Sequence, residues 1–119
     1  MAVLSALSEA GVEVKELIPH FKTFSGMGRR FEFIGNENNI DFYDDYAHHP
    51  SEIKATLSSV RNSFKNRRVV AVFQPHRYTR LKGLWEDFKL AFDDCDKLFV
   101  TDVFEASEDP IDGITSENF

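Results

Sequence analysis

Apolar residues recur along this chain with two periods, and the switches between them mark out the elements. Residues 2–10 read as a short helix ended by Gly11. Val14, Leu17, Ile18, Phe21 and Phe24 follow a 3,1,3,3 spacing that fits one helix face over 14–24. Pro19 falls inside that run and predicts a break or kink. Residues 25–28 read as a loop. Arg30 to Ile34 alternates polar and apolar positions as a half-buried strand does, Gly35 to Asn39 is a turn by composition, and Ile40 to Tyr43 can pair back as a hairpin. Pro50-Ser51-Glu52 opens a helix that keeps its apolar period through Ile53, Leu57, Val60 and Phe64. The unbroken run Val69 to Phe73, within a strand from Arg68, is that of a central parallel strand covered on both faces. Tyr78 to Phe92 predicts a helix burying Leu81, Leu84, Trp85, Phe88 and Phe92, Leu98 to Val103 a strand, and Glu105 to Asp112 a polar loop. The order ββαβαβ predicts an α/β domain with a mixed sheet.

Composition narrows the class. The 119 residues make one domain, and 42% apolar with 29% charged residues is ordinary for a globular protein. A net charge of −6 argues against a general nucleic-acid or anionic-membrane binder. The single cysteine, Cys95, permits no internal disulfide and fits a reduced, cytoplasmic setting as a packed apolar side chain. No stretch approaches the roughly 20 apolar residues of a membrane span. The chain opens inside a helical pattern and stops at Thr115-Ser116-Glu117-Asn118-Phe119, which resembles a helix start, so a fragment of a longer protein is expected.

Two ionisable clusters stand where a strand pattern gives way to a helix pattern, the edge at which open α/β sheets bind ligands. Tyr43 to Pro50 supplies Asp44, Asp45, His48 and His49. Gln74 to Arg80 supplies His76, Arg77 and Arg80. Asp44 and Asp45 point to opposite faces of a strand end, so one at most enters a given cleft, to accept from ribose hydroxyls or hold a metal; otherwise they cap a neighbouring helix. Adjacent imidazoles chelate one ion poorly and no zinc-type spacing accompanies them, so no metal site is assigned. Hydrogen bonding to a nucleotide or a catalytic group suits His48, and capping or exposure suits His49. Arg77 and Arg80, three apart at a helix start, can hold a carboxylate or phosphate with help from free backbone N–H groups. Alternatively they form a solvated basic turn paired with acids such as Glu86 and Asp87. No GxxxxGK[ST] loop occurs, so nothing here cradles a triphosphate alone.

Arg29-Arg30-Phe31-Glu32, Asp44-Asp45-Tyr46-Ala47-His48-His49-Pro50, Phe73-Gln74-Pro75-His76-Arg77-Tyr78-Thr79-Arg80 and Asp102-Val103-Phe104 before Pro110-Ile111 together resemble the carboxy-terminal domain of the Mur ligases of bacterial peptidoglycan synthesis. The match runs from about residue 14 to the end, and its second long block is specific to the members that join L-alanine to UDP-N-acetylmuramate. A recycling branch that attaches a whole tripeptide shares the Asp-Asp-aromatic-Ala-His-His-Pro block and usually lacks the other.

The resemblance implies a Rossmann-like, mixed and mostly parallel sheet flanked by helices, truncated at its C-terminal end. Residues 1–24 would be a helical lead-in from the side of a central ATPase domain, and 25–119 the incomplete carboxy-terminal domain. It also implies a cytoplasmic enzyme in which ATP phosphorylates the muramyl carboxylate and the amine of L-alanine attacks the acyl phosphate. By position, Arg30 resembles the arginine that reaches the nucleotide phosphates, Asp45 the carboxylate on the ATP ribose, and His48 its neighbour. Arg77 and Arg80 resemble the pair holding the L-alanine carboxylate, and His76 the residue near the reacting amine. Asp44, Tyr46, His49 and Gln74 remain as structural support. The phosphate loop, catalytic lysine and magnesium ligands of the ATPase domain are not in this sequence, so it is expected to be inactive alone and to close against that domain. Two other readings stand beside this one: a stand-alone α/β module gripping a small anion through Arg77 and Arg80, and a metal-dependent phosphoesterase built on the Asp/His cluster.

Overall fold

The computed structural model describes residues 7–23 and 28–119. These form two compact units that divide between Asp44 and Asp45. The expected helix over 2–10 and the loop over 25–28 lie partly outside the described residues.

In the first unit, residues 7–9 are helical and Gly11 ends the turn at φ 83°. The N–H of Val12 reaches the carbonyl of Leu7, and that of Gly11 reaches Ser8, both at 3.0 Å, the paired bonds of a Schellman cap. Helix α1 (Val14–Thr23) runs on through Pro19 rather than ending there. Strands β1 (Glu32–Glu37) and β2 (Ile40–Asp44) then pair antiparallel. Their turn is narrower than composition suggests. Only Asn38 and Asn39 form it, at φ 51° and 63°, the left-handed pair of a type I′ hairpin that matches the strand twist. A register shift between Phe33 and Gly35 makes a bulge. Phe31 stacks on Tyr43 at 4.4 Å, and Phe33 meets the same ring edge-on at 5.4 Å.

The second unit holds α2 (Pro50–Ser63), β3 (Val70–Phe73), α3 (Tyr78–Gly83), α4 (Trp85–Lys89) and β4 (Lys97–Val100). Strands β3 and β4 are parallel neighbours, with Val72 opposite Phe99 and Phe73 opposite Val100. The fold is α/β with antiparallel and parallel strand pairing flanked by helices, the two pairings forming separate ladders among the described residues. The core gathers Ile53 and Leu57 from α2, Val69 and Phe73 around β3, Leu81, Phe88, Ala91 and Phe92. Phe73 lies at its centre, 5.6 Å from the ring of Phe88 and 5.1 Å from that of Phe92.

Three expectations need revision. The helix over 78–92 is two short helices, because Leu84 leaves helical geometry at φ −122°, ψ 25° directly after Gly83, a weak helix former. The i to i−4 bonds survive across the joint (Leu84 to Arg80, Phe88 to Leu84), so Leu81 and Phe88 still face the same core. Strand β4 stops at Val100, not at Val103. The β3 run is covered on one face only. Val69 and Phe73 are buried, whereas Val70 and Val72 are 48% and 72% exposed.

An arginine ties the far end of this unit together. Arg61, in the last turn of α2, donates to the Asp94 carbonyl at 3.1 Å and pairs with Asp96 at 3.0 Å. The same Asp96 carboxylate accepts the Val69 N–H at 2.7 Å. That backbone bond, reinforced by Arg61, holds the Asp96 carboxyl below the usual carboxylate range.

Burial separates two neighbours cleanly. Phe88 is 1% exposed and Leu90 60%. Phe88→Ala is expected to cost about 3–5 kcal/mol through lost transfer energy and a cavity, and Leu90→Ala less than about 0.5 kcal/mol. Urea unfolding followed by fluorescence of Trp85, the only tryptophan, checks both.

Candidate functional site

The first ionisable cluster folds around the start of α2. His49 is the N-cap, with its ring accepting the Ser51 N–H, and Glu52 completes a capping box. The Glu52 carboxylate accepts the backbone N–H of both His48, at 3.1 Å, and His49, at 3.2 Å. The two adjacent rings are held in opposite senses. His48 Nδ1 lies 3.0 Å from the Tyr46 carbonyl, which can only accept, so Nδ1 carries a proton there. His49 Nδ1 is itself the acceptor for the Ser51 N–H, so its proton resides on Nε2. Tyr46 packs edge-on against the His48 ring at 5.1 Å. The Asp45 carboxylate accepts the Ala47 N–H at 2.7 Å, which fixes its direction just ahead of the helix.

The second cluster forms a strand-to-helix elbow after β3. Its backbone is tied to a later segment: His76 bridges Phe104, with Arg77 N–H to the Phe104 carbonyl at 2.9 Å and Phe104 N–H to the Pro75 carbonyl at 2.8 Å. The His76 ring stacks on Phe104 at 5.2 Å. Arg77 is the N-cap of α3 but makes no side-chain cap, and its backbone sits at φ 71°, ψ 127°. For a non-glycine residue such a conformation costs about 1–3 kcal/mol and persists only where the surroundings enforce it.

The missing cap comes from Glu108. Its carboxylate accepts the Thr79 N–H at 2.9 Å and the Thr79 hydroxyl at 2.7 Å. It also lies 3.8 Å from Arg77 Nη1. The two Thr79 bonds hold the Glu108 carboxyl below its usual range, with Arg77 adding to the effect. Arg80 reaches back toward the His76 carbonyl at 3.5 Å. Gln74 donates to the Asp102 carbonyl at 3.4 Å, a supporting contact of the kind expected for it.

His76 is the electrostatic centre of this elbow. Burial lowers its pKa below 6.5, and the positive charges of Arg80 and Arg77, with His48, push the same way against Glu108. The ring is therefore neutral at pH 7. Its Nδ1 is buried without a hydrogen-bond partner among the described residues, an exception of the sort that marks functional sites.

The structure thus brings His48, His76, Arg77 and Arg80 into one electrostatic neighbourhood, with Asp45 three residues before His48. Arg30 belongs to the first unit, exposed between two residues with left-handed backbone, Arg29 and Phe31. Asp44 is in that unit too and pairs with Arg29 at 3.1 Å. Two sequence expectations change. The acid facing Arg77 is Glu108, not Glu86 or Asp87; Glu86 pairs with Lys89 instead. Of the helix-start backbone N–H groups expected to help bind an anion, that of Thr79 is bonded to Glu108 instead. Glu108 is the residue sequence reasoning missed, because it sits in a polar loop with no periodicity to single it out. No trio of His, Cys, Asp or Glu arranged for a metal ion occurs among the described residues.

The low pKa of His76 has a stability consequence. As pH falls below about 6.5 the unfolded chain takes up a proton that the folded chain refuses, so folding is disfavoured in acid and recovers as pH rises through that window. His76→Phe keeps the stacking on Phe104 and removes the titration. Its stability between pH 5 and 7, measured by urea unfolding at about four pH values, is expected to vary less than that of the unmodified chain. Equal slopes would contradict the assignment.

Comparison with known proteins bears on this geometry. A family model described as "Mur ligase, glutamate ligase domain" matches residues 29–119. The UDP-N-acetylmuramate–L-alanine ligase of Brachyspira hyodysenteriae is 51% identical over 107 residues, covering 90% of this chain and 23% of that protein. The enzyme of the same description from Geotalea daltonii is 47% identical over 117 residues, covering 98% and 25%. Among solved structures, the UDP-N-acetylmuramate–alanine ligase of Thermotoga maritima aligns with a TM-score of 0.71 at 31% identity, over 87% of this chain and 23% of that one. The chain spans about a quarter of the length of the relatives it matches. The α/β frame agrees with that match, and the chain belongs to the Mur ligase family, within the glutamate ligase domain.

Proposed function

We propose that this chain is the amino-acid-positioning part of a longer ATP-dependent ligase that joins L-alanine to UDP-N-acetylmuramate in peptidoglycan synthesis. The observation that carries the reading is the elbow at Gln74 to Arg80, where burial and the charges of two guanidiniums together disfavour the protonated imidazole of His76. The names of the relatives support the substrate pair. L-alanine presents one carboxylate and one amine. Arg77 and Arg80 match the carboxylate, because forked N–H donors pair with it in two-point fashion. His76, uncharged at pH 7, does not repel the amine's charge and can share a proton with it as the amide forms.

ATP is the second ligand of the proposal, and the donor chemistry fits its sugar end. The oriented carboxylate of Asp45 suits ribose hydroxyls, and His48, three residues on in the chain, has its ring held by the Tyr46 carbonyl. Arg30, exposed on its turn, is assigned to the phosphates. Bound ATP supplies the phosphoryl group that converts the muramyl carboxylate to an acyl phosphate. Magnesium ligands are assigned to a central ATPase domain, with residues 1–24 leading in from its side and residues 25–119 forming the carboxy-terminal domain that closes on it in the cytoplasm. Closure keeps water off the acyl phosphate and so prevents its hydrolysis. Holding the amine in line removes much of the bimolecular entropy cost, up to about 7–11 kcal/mol in ideal cases.

The test is ligation by the intact enzyme carrying this sequence, with ATP and UDP-N-acetylmuramate, offered L-alanine or a tripeptide. Turnover with L-alanine is expected, and Arg80→Ala should raise KM for L-alanine by about tenfold or more, the scale of one lost charge-assisted hydrogen bond. Turnover with the tripeptide alone would move the protein to the recycling branch. An unchanged KM in Arg80→Ala would remove that residue from the site.

A further inference from the structure

We infer that Glu108 is a positioning residue for amino-acid binding, acting through Arg77. The inference rests on the reading of Arg77 and Arg80 as the carboxylate site and adds a residue to it. Arg77 stands in an unfavourable backbone conformation, at φ 71°, and its own side chain does not cap α3. Something outside the elbow must hold it there. The segment following β4 does so at two points. Phe104 exchanges backbone bonds with Pro75 and Arg77, which fixes the strand side. Glu108 fixes the helix side, by two bonds to Thr79 and a 3.8 Å approach to the Arg77 guanidinium.

The loop that delivers Glu108 is itself shaped for the purpose. Ala106 and Ser107, immediately before it, are both left-handed at φ 51° and 67°, a conformation that non-glycine residues adopt at a cost. A carboxylate serving only as surface charge would need none of this. With Glu108 in place, the first turn of α3 and the direction of Arg77 are set together. Arg80, one turn on and reaching back to the His76 carbonyl, is held in the same frame. Without Glu108 the Thr79 N–H and hydroxyl lose their acceptor, and Arg77 is free to relax from its strained backbone.

The geometry makes a signed demand: Glu108 favours substrate binding, although it carries the same charge as the substrate carboxylate. Its two acceptor oxygens are directed at Thr79, and the contact to Arg77 is long, so the guanidinium keeps donors for a second carboxylate.

A double-mutant cycle in the intact ligase tests this, with KM for L-alanine, KM for ATP, kcat and melting temperature measured for Arg77→Ala, Glu108→Gln and the pair. Glu108→Gln is expected to raise KM for L-alanine by about tenfold while KM for ATP and kcat stay near the unmodified values. The double variant should be no worse than Arg77→Ala alone, because Glu108 works through that residue. Thr79→Val, which removes one anchor of Glu108, should raise KM for L-alanine in the same direction, and Thr79→Ser should restore it; this pair decides the matter if Glu108→Gln does not fold. Three results overturn the inference while leaving the arginine site intact. These are an unchanged or lowered KM in Glu108→Gln, effects that simply multiply in the double variant, and a fall in kcat and ATP binding that tracks the melting temperature. If Arg77→Ala and Arg80→Ala both leave KM for L-alanine unchanged, the site reading itself fails, and the inference with it.

Discussion

The backbone of Arg77 is the constraint on which the second unit's chemistry depends. A φ of 71° turns the chain sharply from β3 into α3 and places three ionisable side chains within five residues of one another at the end of a strand covered on one face. That turn is unfavourable in isolation, and it is enforced from the segment beyond β4 by Phe104 on one side and Glu108 on the other. The parallel pairing of β3 with β4 brings that segment alongside. Core packing, strand register and site geometry therefore share one origin. Phe73, buried at the end of β3, anchors the elbow to the same cluster that seats Leu81 and Phe88.

Electrostatics at the elbow follow from its crowding. Burial and two guanidiniums deny His76 its proton, whereas Glu108 keeps its negative charge because Thr79 solvates it twice. An imidazole that resists protonation near two cations costs stability in acid and is useful for handling an amine. At the start of α2 the same economy of means appears in tautomers. His48 and His49 are neighbours in sequence, yet one ring is oriented by a carbonyl and the other is consumed by capping.

Much of this was legible in the sequence where periodicity or an obligate cap carried the signal. Gly11 ended its helix, Pro50-Ser51-Glu52 opened α2, and Ile53, Leu57, Phe73 and Phe88 took the core positions their spacing assigned. The errors have physical causes. The apolar run of β3 suggested two covered faces, but apolar content alone cannot report how many layers surround a strand, and Val72 lies exposed. The apolar stripe from Leu81 to Phe92 hid the joint at Leu84, because the hydrogen-bond ladder continues through it. For the candidate site, the clusters themselves could be read, since histidines and arginines at a strand end are conspicuous. Glu108 could not, because a carboxylate 29 residues from Thr79 gains its meaning only when β3 and β4 pair.

The claim that the arginine pair reads a carboxylate is tested most directly by changing the substrate rather than the protein. The intact ligase, supplied with ATP and UDP-N-acetylmuramate, would be assayed for kcat/KM with L-alanine and with L-alaninamide, which keeps the amine and loses the charge. The account predicts a fall of about a hundredfold or more for the amide, the scale on which sites that pair a charged group reject an analogue lacking it. Equal kcat/KM values for the two would contradict it.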